Sequence, residues 1–154
     1  MKSKPDQDCL HGGVYSVNPV LVQLDFSSSV NPLGISRHLL RDLYGELNSL
    51  CTTYPDPLCR ELKNSILDYL GIGLDPSWLL IGNGATELIH IFARTFLRRN
   101  VVISAPTFCE YELSTRRAGA AVKIVPLKNW KPDTEKILKE STNGCDAVFL
   151  CNPN

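Results

Sequence analysis

The second half of the chain alternates short apolar runs with amphipathic stretches, and this rhythm constrains its fold more than any other feature. Trp78 to Ile81 reads as a short strand, Gly82 to Gly84 as a tight turn, and Ala85 to Leu97 as a strongly apolar helix. Val101 to Ser104 is a predicted strand, Thr107 to Arg117 a helix and Ala121 to Pro126 a strand. Asp133 is expected to cap a helix running to Glu140, and Ala147 to Cys151 forms the last strand. Strands alternating with helices predict an α/β fold with a mostly parallel sheet. The strand runs are continuously apolar, as expected when helices cover both faces of a sheet.

The first half reads differently. Residues 1–20 look irregular, with Gly12, Gly13 and Pro19 as breakers. Leu21 to Phe26 is a short extended segment, and Asn31-Pro32-Leu33-Gly34 is a turn. Ser36 is placed to cap a helix from Arg37 to Leu47, with Leu39, Leu40, Leu43, Tyr44 and Leu47 on one face. Thr53-Tyr54-Pro55-Asp56-Pro57 is a loop stiffened by prolines. A helix from Leu58 to Leu70 follows, ended by Gly71 and Gly73.

Composition narrows the function classes. Lys+Arg and Asp+Glu balance at 16 each, so the chain has no net charge to attract nucleic acid or an anionic membrane. The cluster Arg94, Arg98 and Arg99 sits where a helix ends, a place that favours cations. No apolar run approaches the ~18 residues that span a bilayer. Residues 1–8 lead into no apolar signal region, so a soluble cytoplasmic protein is expected. The six cysteines are irregularly spaced without a CxxC pair, which disfavours a disulfide framework. Cys145 and Cys151 are expected to pack as small hydrophobes. His11, His38 and His90 show no metal-ligand spacing. The last strand runs straight into a loop-like CNPN, so a fragment of a longer protein is expected.

Several segments could carry chemistry. Gly82-Asn83-Gly84-Ala85-Thr86-Glu87 joins a strand to a helix. Its glycines let a ligand approach the main chain, and the helix N-terminus offers free N–H groups and a positive dipole end to a phosphate. Thr86 adds a hydroxyl. The pattern is neither a P-loop nor a dinucleotide turn, and an ordinary helix start capped by Thr86 explains it equally well. Ala105-Pro106-Thr107-Phe108 follows the next strand at the edge where open α/β sheets bind ligands. Phe108 can stack on a flat ring or simply join the core. Cys151-Asn152-Pro153-Asn154 reads alone as a turn. His11-Gly12-Gly13 and Asn31-Pro32-Leu33-Gly34 each pair a flexible backbone with a polar side chain, and His11 can bind an anion or lie solvated. Tyr54 can offer its hydroxyl from a proline turn, or sit in a plain surface loop.

Taken in order, DFSSSVNPLG, TYPDP, GNGATE, APTFCEY and CNPN resemble the fold type I pyridoxal-phosphate (PLP) enzymes of the aminotransferase class. The branch is that of histidinol-phosphate aminotransferase and threonine-phosphate decarboxylase, and the resemblance runs from His11 to Asn154. It implies an N-terminal arm (residues 1–35), a helical segment with a dimer-facing loop (36–75) and the first half of the PLP-binding domain (76–154). In the family the turn matching Gly84-Ala85-Thr86 binds the PLP phosphate, and the aromatic matching Phe108 stacks on the pyridine ring. The residue matching Tyr54 reaches the neighbouring subunit's cofactor, which implies a homodimer. Asn154 stands next to, or at, the family's Asn that meets the PLP phenolic oxygen. The residues matching His11, Gly12 and Asn31 face a small phosphorylated substrate.

The HGG-to-NPLG arrangement looks most like threonine-phosphate decarboxylase, which makes (R)-1-amino-2-propanol O-2-phosphate for cobalamin synthesis. Ser77-Trp78 and Glu110-Tyr111 share that likeness, whereas Ala85 departs from the Glu common in that family. Histidinol-phosphate aminotransferase is the alternative enzyme, and a catalytically incompetent module that binds a phosphorylated ligand is the alternative of another class. The family's cofactor-bonding lysine is expected beyond residue 154. Lys63, Lys123, Lys128, Lys131, Lys136 and Lys139 match no such motif.

Overall fold

A computed structural model describes residues 12–13 and 17–154, which fall into two units, one within Leu10–Leu79 and one within Leu80–Asn154. In the first unit, α1 (Arg37–Thr52) runs past the expected end at Leu47, because nothing before the Tyr54-Pro55 pair breaks its pattern. Ser36 does not cap α1 with its side chain; its carbonyl accepts the Leu40 N–H at 2.9 Å instead. α2 (Arg60–Leu70) starts two residues later than expected. Asp56 takes the N–H groups of Leu58 and Arg60 at 3.0 and 3.1 Å, which turns the chain before the helix can begin. Gly71 ends α2 in the left-handed region (φ 64°), as its sequence position suggests.

The expected strand Trp78 to Ile81 does not form, and the extended segment from Leu21 is entered through a turn. Pro19–Leu21 makes a 3-10 turn, with the Asn18 side chain accepting the Val20 N–H. Pro76–Trp78 makes another, capped by Asp75 through the Ser77 N–H at 2.8 Å. In both places an acidic or amide side chain satisfies the backbone locally, and among the described residues no strand pairs with either segment.

The second unit holds α3 (Gly84–Phe96), β1 (Asn100–Ala105), α4 (Glu110–Arg117), β2 (Ala121–Pro126), α5 (Thr134–Ser141) and β3 (Cys145–Phe149). The sheet order is β2-β1-β3 with parallel pairing throughout. β1 is central and buried from Val101 to Ser104. Its period of two sorts its side chains to opposite faces. Val101 and Ile103 pack with Ala93 of α3 and with Leu97 just beyond it, against Tyr111 of α4. Val102 packs with Val125 and with Ile137 of α5. Helices therefore cover both faces, as the unbroken apolar runs predict.

Asp133 caps α5 as expected, accepting the Lys136 N–H at 3.1 Å. β3 lies two residues earlier than its apolar run suggests, so Leu150 and Cys151 belong to the loop beyond it. α4 starts at Glu110 rather than Thr107. Thr107 to Cys109 form the turn that leaves β1, closed by the Tyr111 N–H on the Phe108 carbonyl. Cys145 packs beside the Val102 cluster, as a small hydrophobe does. Cys109 is disulfide-bonded, a departure from the expectation for its cysteines, whereas Cys51, Cys59, Cys145 and Cys151 are free thiols. No described helix is long and apolar enough to cross a membrane.

The turn from α3 into β1 is held by Asp146 of β3. Its carboxylate accepts the N–H groups of Arg98 and Arg99, both at 2.6 Å, and Arg99 Nε at 3.0 Å. These backbone bonds, then the Arg99 side chain, hold the Asp146 carboxyl below its ordinary value. A lowered folded-state value makes the contribution present above the unfolded pKa of about 3.9 and lost as pH falls through the folded one. Asp146→Asn is expected to lower the thermal midpoint at neutral pH and to shrink the difference from wild type under acid, as followed by circular dichroism melts across pH.

Candidate functional site

At the carboxyl ends of the strands, β1 sends the chain to α4 on one face and β2 sends it to α5 on the other. Open α/β sheets bind ligands where neighbouring strands diverge in this way. α3 starts on the first of these faces, and its first residue, Gly84, has φ +83° with nothing within 4 Å of the position a Cβ would take. Space alone does not require glycine there; the left-handed backbone does.

Asn83 makes no side-chain cap to α3. The first-turn N–H groups of Ala85 and Thr86 have no intrahelical acceptor, as at any helix start, and the reading of Thr86 as the cap is not what the structure adopts. Glu87 is a site residue that motif reading missed. Its carboxylate folds back to accept the Asn83 backbone N–H at 2.5 Å and the Asn83 amide at 3.2 Å. The signal for it was an acidic residue in the first turn of a helix, one position beyond the spacing of a capping box. The arrangement leaves the amides of Ala85 and Thr86 and the positive end of α3 available to an anion.

Phe108 is half-buried in the turn after β1. Its ring meets Tyr111 edge-on (centroids 5.8 Å, 90°), and Tyr111 stacks on Phe149 of β3 (4.7 Å, 13°). Burial first, and then the Cys151 thiol, raise the Tyr111 hydroxyl above its ordinary value. Asn154 comes back to the end of β1, where its Nδ2 donates to the Pro106 carbonyl at 2.9 Å. Phe108, Asn154 and the Gly84 turn thus belong to one unit.

On the α5 face, a cavity of about 310 Å³ opens at the same strand ends, lined by Ser104, Thr107, Leu127, Trp130, Cys151 and Asn154 among others. The hydroxyls of Ser104 and Thr107 are buried and have no hydrogen-bond partner. The cavity is roomy enough for a water that bridges these two hydroxyls.

The other expected site residues lie in the first unit. Tyr54 is 89% exposed between α1 and α2. Asn31 is committed to its own turn, accepting the Leu33 N–H at 3.0 Å and donating to the Gly34 carbonyl at 3.1 Å. Gly12 abuts the Ser27 backbone so closely that a Cβ would collide with it, and the Gly13 N–H donates to Ser27 Oγ at 2.8 Å. The HGG and DFSSS segments therefore pack together at these glycines. His11 lies outside the described residues.

Residues 22–154 match the family described as aminotransferase class I and II. The chain belongs to this family. It is 35% identical over 133 residues to a histidinol-phosphate aminotransferase of Geobacillus thermodenitrificans, covering 85% of this chain and 36% of that protein. A histidinol-phosphate aminotransferase of Halalkalibacterium halodurans is 34% identical over 130 residues, covering 83% of this chain and 34% of the relative. The crystal structure of the Clostridium acetobutylicum histidinol-phosphate aminotransferase superposes with a TM-score of 0.69 at 32% identity, over 83% of this chain and 37% of that one. This family member therefore has the fold type I α/β architecture and spans about a third of the length of the relatives it matches.

Gly84→Ala is expected to destabilise the chain by about 1 kcal/mol, the cost of placing a Cβ in left-handed backbone. Urea unfolding followed by circular dichroism measures it. A neutral result would show that the turn relaxes to ordinary backbone.

Proposed function

We propose that this chain holds the phosphate-binding part of a PLP-dependent aminotransferase acting on a small phosphorylated substrate of the histidinol-phosphate type. The observation that carries the reading is the start of α3, which the Asn83 side chain leaves without a cap, in a chain whose relatives are named histidinol-phosphate aminotransferases. In this reading the N–H groups of Ala85 and Thr86 and the Thr86 hydroxyl hold the PLP phosphate, with α3's positive end neutralising part of its charge. Gly84 gives the chain the left-handed bend that aims these N–H groups. Phe108 presents an aromatic face to the pyridine ring, braced by Tyr111. Asn154, placed by the Pro106 carbonyl, stands at the edge of the same site. Tyr54 serves the neighbouring subunit of a homodimer, and His11, Gly12 and Asn31 contribute to the substrate side.

When bound, PLP supplies an electron sink for negative charge that develops at the substrate's α-carbon. The residues here fix where the cofactor's handle and ring lie. Which α-carbon bond breaks depends on how the substrate's own acidic groups are anchored.

A second reading, threonine-phosphate decarboxylase, is favoured by the fit of Gly12-Gly13 against Ser27. That fit sets Gly12 and Gly13 against Ser27 of the DFSSS segment. Assays of the whole protein that contains this chain separate the two. Amino transfer from histidinol phosphate that requires 2-oxoglutarate supports the first reading. Release of CO2 from threonine phosphate without 2-oxoglutarate sinks it and supports the second.

The phosphate role of Thr86 has its own test. Thr86→Val keeps the side chain's shape and removes the hydroxyl. It is expected to weaken binding of pyridoxine 5'-phosphate by about tenfold, as loss of a hydrogen bond to a charged group implies. Isothermal titration calorimetry gives the ratio, and unchanged affinity would remove Thr86 from the cradle.

A further inference from the structure

The ligand read into this site is rigid, so its phosphate and its ring lie a fixed distance apart. The protein must hold the Gly84 turn and Phe108 at a matching separation. The turn opens α3, and Phe108 precedes α4, so the spacing is set wherever α3 and α4 are tied together. Apolar packing of Ala93 with Tyr111 joins the two helices, and His90 of α3 and Glu110, the first residue of α4, add the directional tie: His90 Nε2 lies 2.7 Å from Glu110 Oε2. The Glu110 side chain is 4% exposed and that of His90 is 23% exposed.

A carboxylate withdrawn so far from water is costly, and apolar side chains of like size pack helices together at least as well. What a hydrogen-bonded pair adds is geometry, since it holds at one distance and direction. Glu110 stands two residues after Phe108, and the Phe108 ring is braced by Tyr111 on the same helix. Movement of the start of α4 therefore moves Phe108 relative to the turn.

We propose that the His90–Glu110 pair is a positioning element that sets the separation between the phosphate-binding turn and Phe108. This inference rests on the PLP reading above. Neither residue touches the ligand; each acts through the element it fixes.

The test uses the full chain and two probes. Pyridoxine 5'-phosphate carries phosphate and ring but no aldehyde, so it reports the non-covalent contacts without reacting with lysines. Inorganic phosphate reports the turn alone. Glu110→Ala is expected to weaken pyridoxine 5'-phosphate by about tenfold, read by calorimetry, while inorganic phosphate, titrated by 31P NMR, binds as in wild type. Glu110→Gln keeps an acceptor for His90 and is expected to retain affinity within about twofold. His90→Ala breaks the same tie from its more exposed end and supplies the same readout if Glu110→Ala does not fold. A lower thermal midpoint with unchanged affinity for both probes overturns the proposal in favour of a merely structural pair. Equal weakening of both probes also overturns it, since the turn itself is then disturbed. If wild type binds neither probe, the PLP reading fails first and this inference falls with it, a result distinct from the other two.

Discussion

Everything in the second unit hangs on the burial of β1. Val101, Val102 and Ile103 are almost wholly removed from water, with partners on both faces. Burying an aliphatic side chain of this size contributes about 1.5–3 kcal/mol, so a few such residues rival the whole net stability of an ordinary domain, about 5–15 kcal/mol. The strand also fixes direction. Parallel pairing on each side puts three carboxyl ends together, and with them the Phe108 turn, the cavity beside Ser104 and the Asn154 amide. The site is thus a by-product of how the core is ordered.

The parts of the fold legible in the sequence are those decided by local chemistry or continuous burial. β2 falls at Ala121–Pro126 as read, and the Asp133 cap and Gly71 stop appear where their residue types require. The misplaced parts depended on partners that periodicity does not name. Trp78 to Ile81 has strand composition, yet Asp75 and Pro76 close a local turn first. Leu150 and Cys151 extend an apolar run beyond the residues that pair with β1. Leu50 continues the apolar spacing of α1 past Leu47, and nothing in that turn forbids the helix to go on to Thr52.

The site divides in the same way. The Gly84 turn, Phe108 and Asn154 stand in short motifs that name themselves through order along the chain. Glu87, His90 and the Tyr111–Phe149 stack do not, because their meaning lies in contacts that the chain makes only after folding. The finer assignment shows the limit of motifs from the other side. HGG with NPLG leans toward a decarboxylase, whereas the named relatives are aminotransferases, and the cradle proposed at the Gly84 turn suits either chemistry. The residues that hold a cofactor's phosphate report the cofactor; those that anchor the substrate decide the reaction.

The parting of the chain at the ends of β1 and β2 separates two kinds of inheritance. The sheet's interior answers to packing, where a single methylene is felt. The segments 106–109 and 127–133 leave it in opposite directions and meet again only across the cavity that Thr107, Leu127 and Trp130 line, so each can lengthen, shorten or change polarity without disturbing the strand beneath. A lineage can therefore revise what it recognises by editing these segments, while the scaffold that aims them stays fixed. Divergent reactions on one architecture are what such a layout makes easy to reach.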